Sequence, residues 1–204
     1  MGRIQARPQT NEKFDLYKHR LDFLEGRNVL ILSDAEMDML LKALGEDDIA
    51  VRVPITSAPE NIRRLLAVSE CRRCGRCCSP DRPNPDNPGV EALEDELEAI
   101  ARHLGISWET LKENTARGKA VYHPAHMSGV SFTRYLPLPC PYYDKEARAC
   151  AVYEIRPIVC TMHPIVFSQN DLISVRVACD YGKDVLKAAF KEVLEAHPGL
   201  EMKL

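Results

Sequence analysis

Residues 71–80 read CRRCGRCCSP. Four of the chain's eight cysteines, Cys71, Cys74, Cys77 and Cys78, fall inside eight residues, with Arg72, Arg73 and Arg76 threaded between them. A buried cysteine usually behaves as a small hydrophobe in an apolar core. A polar stretch rich in arginine, followed by SPDRPNPDNPG with four prolines in nine residues, offers no such core and cannot be helical. A long irregular loop inside a compact domain needs something to fix it. A metal held by the thiols would do so. Two residues between ligands is the spacing at which a turn aims both sulfurs at one metal, and C-x2-C-x2-C is the run with which ferredoxin-type loops wrap an iron–sulfur cluster. Gly75 supplies the positive φ that a wrapping loop needs.

The other thiols are Cys140, Cys150, Cys160 and Cys179. Cys77 and Cys78 are adjacent, and neighbouring side chains point apart in extended chain and diverge in a helix. They are therefore expected to serve different metals or cluster edges, with the near group completing its coordination from the far group. Eight thiols suit two four-ligand sites, one cluster and one zinc, or one cluster with spare thiols. All eight are candidate ligands, with a 4Fe–4S cluster as the expected cofactor and zinc as the alternative, because soft thiolates accept both metals. A thiolate-ligated cluster is anionic. Arg72, Arg73, Arg76 and Arg156 are candidates to offset that charge and raise its potential. Cys179 follows an apolar run, VRVAC, and a core thiol suits it better than the rest.

The remaining composition sets bounds. The chain has 204 residues, 45% hydrophobic and 28% charged, with a net charge of −3. That suits one medium domain, or a domain with a subdomain. Nucleic-acid and membrane-surface partners demand a strong basic excess, so neither is expected. The N-terminal MGRIQARPQTNEKF has no apolar segment of a secretory signal, and Ala6 stands where a myristoylation site has Ser or Thr. A cytoplasmic protein follows, and in a reducing compartment close cysteines are more often metal or redox groups than disulfides.

Hydrophobic period predicts an α+β fold: a small helical domain with short strands and a long loop region organised around the cysteine-ligated metal centre. Helices are expected over 12–25, from a Ser33–Glu36 capping box to Gly45, and from a second box, Ser57–Glu60, through Ile62, Leu65, Leu66 and Val68. Val90 to Leu104 reads as one helix ended by Gly105, and Ser107 opens another anchored by Trp108 and Leu111. A short buried strand or extended segment is expected at 28–33, and strands at 49–56, twice within 119–138, and as a hairpin of 165–168 with 172–177 around Gln169-Asn170-Asp171. Residues 150–160 read as a helical turn broken before Pro157 and then extended. A helix over 183–196 closes the chain. Residues 1–69 form an extension, part of the core or partner-binding; 70–182 form the cysteine-cluster domain; 183–204 pack on the same core.

CRRCGRCC, PCPYYDKEARAC and CAVYEIRPIVCTMHP arrive in order, and together they resemble the CxxCxxCC or YkgJ-type cysteine-cluster family, described as zinc- or iron-chelating. The resemblance covers about residues 70–180. Flagellin lysine N-methylases share the signature, which implies that such a domain can form part of a methyl-transfer enzyme. Cys160-Thr-Met-His163-Pro departs from the Arg and aromatic that members often carry there. Three functions follow as expectations. The first is an iron–sulfur electron carrier or accessory component with a protein redox or enzyme partner. The second is a structural zinc-binding interaction module, and the third a lysine N-methylase-like enzyme. His163 is a candidate ligand or hydrogen-bond donor to sulfur. His123 and His126 read as turn histidines, and Tyr142, Tyr143 and Tyr153 as packing around the site. The sequence shows no P-loop, GxGxxG or GxSxG motif.

Overall fold

The computed structural model describes residues 14–80, 89–122, 130–167 and 171–203. In chain order the elements are α1 (Asp34–Glu46), β1 (Ala50–Thr56), α2 (Pro59–Leu66), β2 (Val90–Leu93), α3 (Glu94–Leu104), α4 (Trp108–Glu113), β3 (Ala116–Tyr122), β4 (Val130–Leu136), β5 (Tyr143–Asp144), β6 (Ala149–Cys150), α5 (Ile158–Met162), β7 (Ile165–Phe167), β8 (Leu172–Arg176) and α6 (Asp180–Ala196). Single 3-10 turns lie at Asp22–Leu24, Val29–Ile31 and Tyr153–Ile155. The fold is α+β, with helices and small antiparallel sheets. The chain divides into two compact units, the first running to Arg72 and resuming at Met162, the second spanning Arg73–Thr161.

The first unit is built on the antiparallel sheet β1-β8-β7. Alternation along β1 turns Val51, Val53 and Ile55 inward, and register pairs Val51 with Val175 and Val53 with Ile173. α6 packs on β1 and β8. Its stripe of Val185, Leu186, Ala189, Phe190 and Val193 joins Leu40, Leu41 and Leu44 of α1 in one core. α1 begins as its sequence predicts: the Glu36 carboxylate accepts from the Ser33 N–H at 2.9 Å and from its hydroxyl at 2.7 Å.

The second unit has its own core of Ala92, Leu97, Ile100, Ala101, Leu111, Leu136 and Val152. The antiparallel sheet β2-β4-β3 backs α3, and α4 packs against α3. Gly105 caps α3 in the left-handed conformation (φ 66), and the Ser107 hydroxyl accepts from the Thr110 N–H at 3.0 Å to start α4.

Several expectations give way to tertiary pairing. Residues 14–25 form turns rather than a helix. The Asp15 carboxylate accepts from the Tyr17 and Lys18 N–H groups, and Arg20 takes a positive φ of 57. The segment 28–33 is a 3-10 turn rather than a strand. The Asn28 side chain accepts from the Leu30 N–H, and the Val29 N–H donates to the Met202 carbonyl. α2 has no capping box: its N-cap is Ala58, the Ser57 N–H donates to Asp171, and Pro59 occupies the first turn, where a missing N–H costs nothing. Val90–Leu93 is strand β2, paired with β4, and the helix begins only where Glu96 accepts from the Leu93 N–H. Pro157 is followed by helix rather than extended chain, its carbonyl accepting from Cys160 and Thr161. α6 starts at Asp180, three residues earlier than expected. β7 and β8 form the expected antiparallel pair. The turn residues Gln169 and Asn170 lie outside the described residues, as do most of the proline-rich loop and both His123 and His126.

Candidate metal centre

Six cysteines belong to the second unit: Cys74, Cys77, Cys78, Cys140, Cys150 and Cys160. None of the eight in the chain is joined in a disulfide. The loop that carries the near group turns at Gly75 (φ 81), whose carbonyl accepts from the N–H groups of Cys78 and Ser79 at 2.9 and 2.6 Å. Only glycine fits here. A Cβ on Gly75 would lie 2.4–2.5 Å from ring atoms of Tyr143.

The two cysteine stretches meet directly. The Cys140 N–H donates to the Cys78 carbonyl at 2.6 Å. The N–H groups of Tyr142 and Tyr143 are bonded to Cys140 and favour its thiolate. The β5–β6 register sets Cys150 opposite Tyr143, and Cys150 packs against the edge of the second core. Cys160 sits within α5. The Cys77 and Cys78 sulfurs lie 3.7 Å apart. Adjacent side chains were expected to diverge; the turn at Gly75 brings them together instead. With zinc–sulfur bonds of about 2.3 Å, the edge of a tetrahedral site is about 3.8 Å, so this pair can share one ion.

Electrostatics reports the same gathering. Burial first, then the charges of Cys77, Cys140 and Cys150, push the Cys160 thiol up to about 12, and Arg156 opposes them. Burial pushes Cys140 up as well, with Cys150 and Cys77 adding to it. Tyr143 is raised by burial and by Cys78, Cys74 and Cys77. Buried thiols that lie beside other sulfurs lack positive charge, which a metal cation supplies. The donor set therefore fits a soft metal. Its geometry is gathered without being closed: among the described residues, no three His, Cys, Asp or Glu side chains are disposed around one point as ligands of an ion.

Two aromatic contacts brace the loop. The Arg73 guanidinium lies 4.2 Å from the centroid of the Tyr153 ring, and that of Arg156 lies 3.9 Å from it. The Tyr143 hydroxyl donates to the Arg73 carbonyl at 2.9 Å. These tyrosines thus do more than the packing expected of them. The spacing of Tyr153 and Arg156 carried a signal, because side chains at i and i+3 eclipse in a 3-10 turn.

Cys71 and Cys179 belong to the first unit, both half-buried against its core. Cys179 is the N-cap residue of α6. Arg72 pairs with Asp180 and Asp184, each at 3.1 Å, so its guanidinium engages carboxylates. His163 also lies in this unit. Burial, with Arg176 adding to it, lowers its pKa to about 4, so the imidazole is neutral at pH 7.

The profile described as "CxxCxxCC: Putative zinc- or iron-chelating domain" matches residues 70–180, more than half of the chain. The chain belongs to this family. The CxxCxxCC stretch opens one residue before Cys71 and closes one residue after Cys179, and so encloses all eight cysteines. No curated protein and no solved structure matches the chain. Metal chelation is thus the family's described property. Among the described residues, no helix is long and apolar enough to cross a membrane.

Proposed function

We propose that the thiols of the second unit hold an iron–sulfur centre and that the protein serves as an electron carrier or an accessory component of a redox or methyl-transfer system. One observation carries this reading: Cys77, Cys140 and Cys150, from separate stretches, all lie close enough to Cys160 to add to the effect of burial on its thiol, and Cys77 and Cys150 act likewise on Cys140. Six thiols in one unit outnumber the four ligands that a single zinc takes. When bound, such a centre supplies one-electron transfer.

The chain's own groups have definable parts. Each sulfur gives up a proton to become a ligand, so metal uptake releases protons and weakens as pH falls. The Tyr142 and Tyr143 N–H groups favour charge on the Cys140 sulfur, and Arg156 favours it on Cys160. Exposed Ile158 and Val159 lie beside Cys160 on α5, an apolar surface that suits a protein redox or enzyme partner.

Zinc is the second reading, favoured by the 3.7 Å separation of Cys77 and Cys78. That spacing suits two ligands of one ion better than two corners of a 4Fe–4S cube, which bind different irons and point apart. The absorption spectrum of anaerobically purified protein separates the two. A brown protein with a broad band near about 400 nm and acid-labile sulfide supports the cluster. A colourless protein that contains zinc supports the second reading, and a protein containing neither metal overturns both.

A further inference from the structure

We propose that Tyr153 is a positioning residue: by stacking on Arg73 and Arg156 at once, it clamps the loop carrying Cys74, Cys77 and Cys78 onto the segment carrying Cys150 and Cys160, and so sets how fast a bound metal leaves. The inference rests on the metal-centre reading above and assigns a role to a residue that is not itself a ligand.

The contacts converge on one place in the chain. Arg73 immediately precedes Cys74, at the mouth of the cysteine loop, and holds a left-handed backbone (φ 50). Left-handed backbone is unfavourable for a residue with a Cβ and needs local support. Both ends of Arg73 receive it. Its carbonyl accepts from the Tyr143 hydroxyl at 2.9 Å, and its guanidinium lies 4.2 Å from the Tyr153 ring centroid. Tyr153 sits in the 3-10 turn between Cys150 and Cys160, and its ring also carries Arg156 at 3.9 Å. The same Arg156 is the cation that favours charge on Cys160. One aromatic ring therefore fixes the entry to the near cysteines and orients the cation beside a far one. An aromatic face attracts a guanidinium through its quadrupole. Phenylalanine retains that attraction, and alanine removes it.

The test compares full-length wild type, Tyr153→Phe and Tyr153→Ala, each reconstituted with zinc, then with iron and sulfide. Transfer of metal to an excess of a chromophoric chelator is timed. Two cation–π contacts of about 0.5–1 kcal/mol each predict release roughly 5- to 30-fold faster from Tyr153→Ala, and near the wild-type rate from Tyr153→Phe. A second measurement needs no metal: iodoacetamide labelling of the metal-free proteins, resolved by mass at Cys74, Cys77 and Cys78. It should be faster in Tyr153→Ala alone. Wild-type release and labelling by Tyr153→Ala overturn the proposal. Loss of both by Tyr153→Phe overturns it equally, because a phenylalanine ring should still hold both arginines. If wild type takes up neither metal, the centre itself is refuted, and labelling alone then decides the clamp. Thermal unfolding of each variant separates the clamp from general damage: Tyr153→Ala should remain folded at the temperature of the exchange. A variant unfolded at that temperature would make Tyr153 part of the core and overturn the proposal.

Discussion

His163 keeps a neutral imidazole in the folded protein because burial, and Arg176 after it, oppose its protonation. Its folded pKa of about 4 lies below the ordinary value near 6.5. Above that ordinary value neither state takes the proton. As pH falls below it, the unfolded chain binds a proton that the folded chain refuses, so stability declines until about pH 4 and then levels. Urea midpoints should accordingly fall between pH 6.5 and 4 in wild type, and His163→Gln should flatten that decline; an unchanged slope would remove the assignment. Gly75 governs the other end of the site. Alanine there must hold a φ of 81 and place its Cβ against the Tyr143 ring. Gly75→Ala should cost about 2 kcal/mol or more and loosen the cysteine loop, read as a lower urea midpoint and faster alkylation of Cys77 and Cys78. Wild-type values in both would show that the turn is not fixed by this contact.

Among the elements, β4 does the most to hold the second unit together, and Arg134 is its anchor. That side chain is largely buried. It donates to the Thr115 hydroxyl at 2.7 Å and to the carbonyls of Lys112 and Thr115 at 3.1 and 3.2 Å, and it pairs with Glu94 at 3.3 Å. One strand residue thereby satisfies the C-terminus of α4 and the first turn of α3. Arg134→Met should cost about 2 kcal/mol by chemical denaturation, because the carbonyls and the carboxylate lose their donor. A change within error would assign the stability of this layer to the apolar core alone. The same elements show what a single sequence discloses. The Ser33–Glu36 box, Gly105 and Ser107 are legible because their hydrogen bonds close within three or four residues. Val90–Leu93 is not legible in this way, because its apolar spacing fits a helix equally well and only its pairing with β4, some forty residues on, decides. The cysteine letters name the candidate donors. The approach of Cys77 to Cys78 and the sharing of Tyr153 by two arginines depend on backbone turns that those letters do not encode.

At the scale of the whole chain, the second unit is inserted between two stretches of the first, and the matched family region contains all of it. Each unit has a separate apolar core. The second carries six of the eight thiols, on the near loop, a small hairpin and a short helix. In that setting a bound metal contributes folding energy as well as chemistry, since its ligands are organised only in the folded chain. The most direct measurement is the metal content of anaerobically purified full-length protein beside the Cys140→Ser, Cys160→Ser double variant, by elemental analysis with acid-labile sulfide. Bound iron with sulfide, or zinc, in wild type and its loss from the variant is the predicted result. Equal metal in both, or a metal-free wild type whose cysteines are joined as cystines, would contradict it.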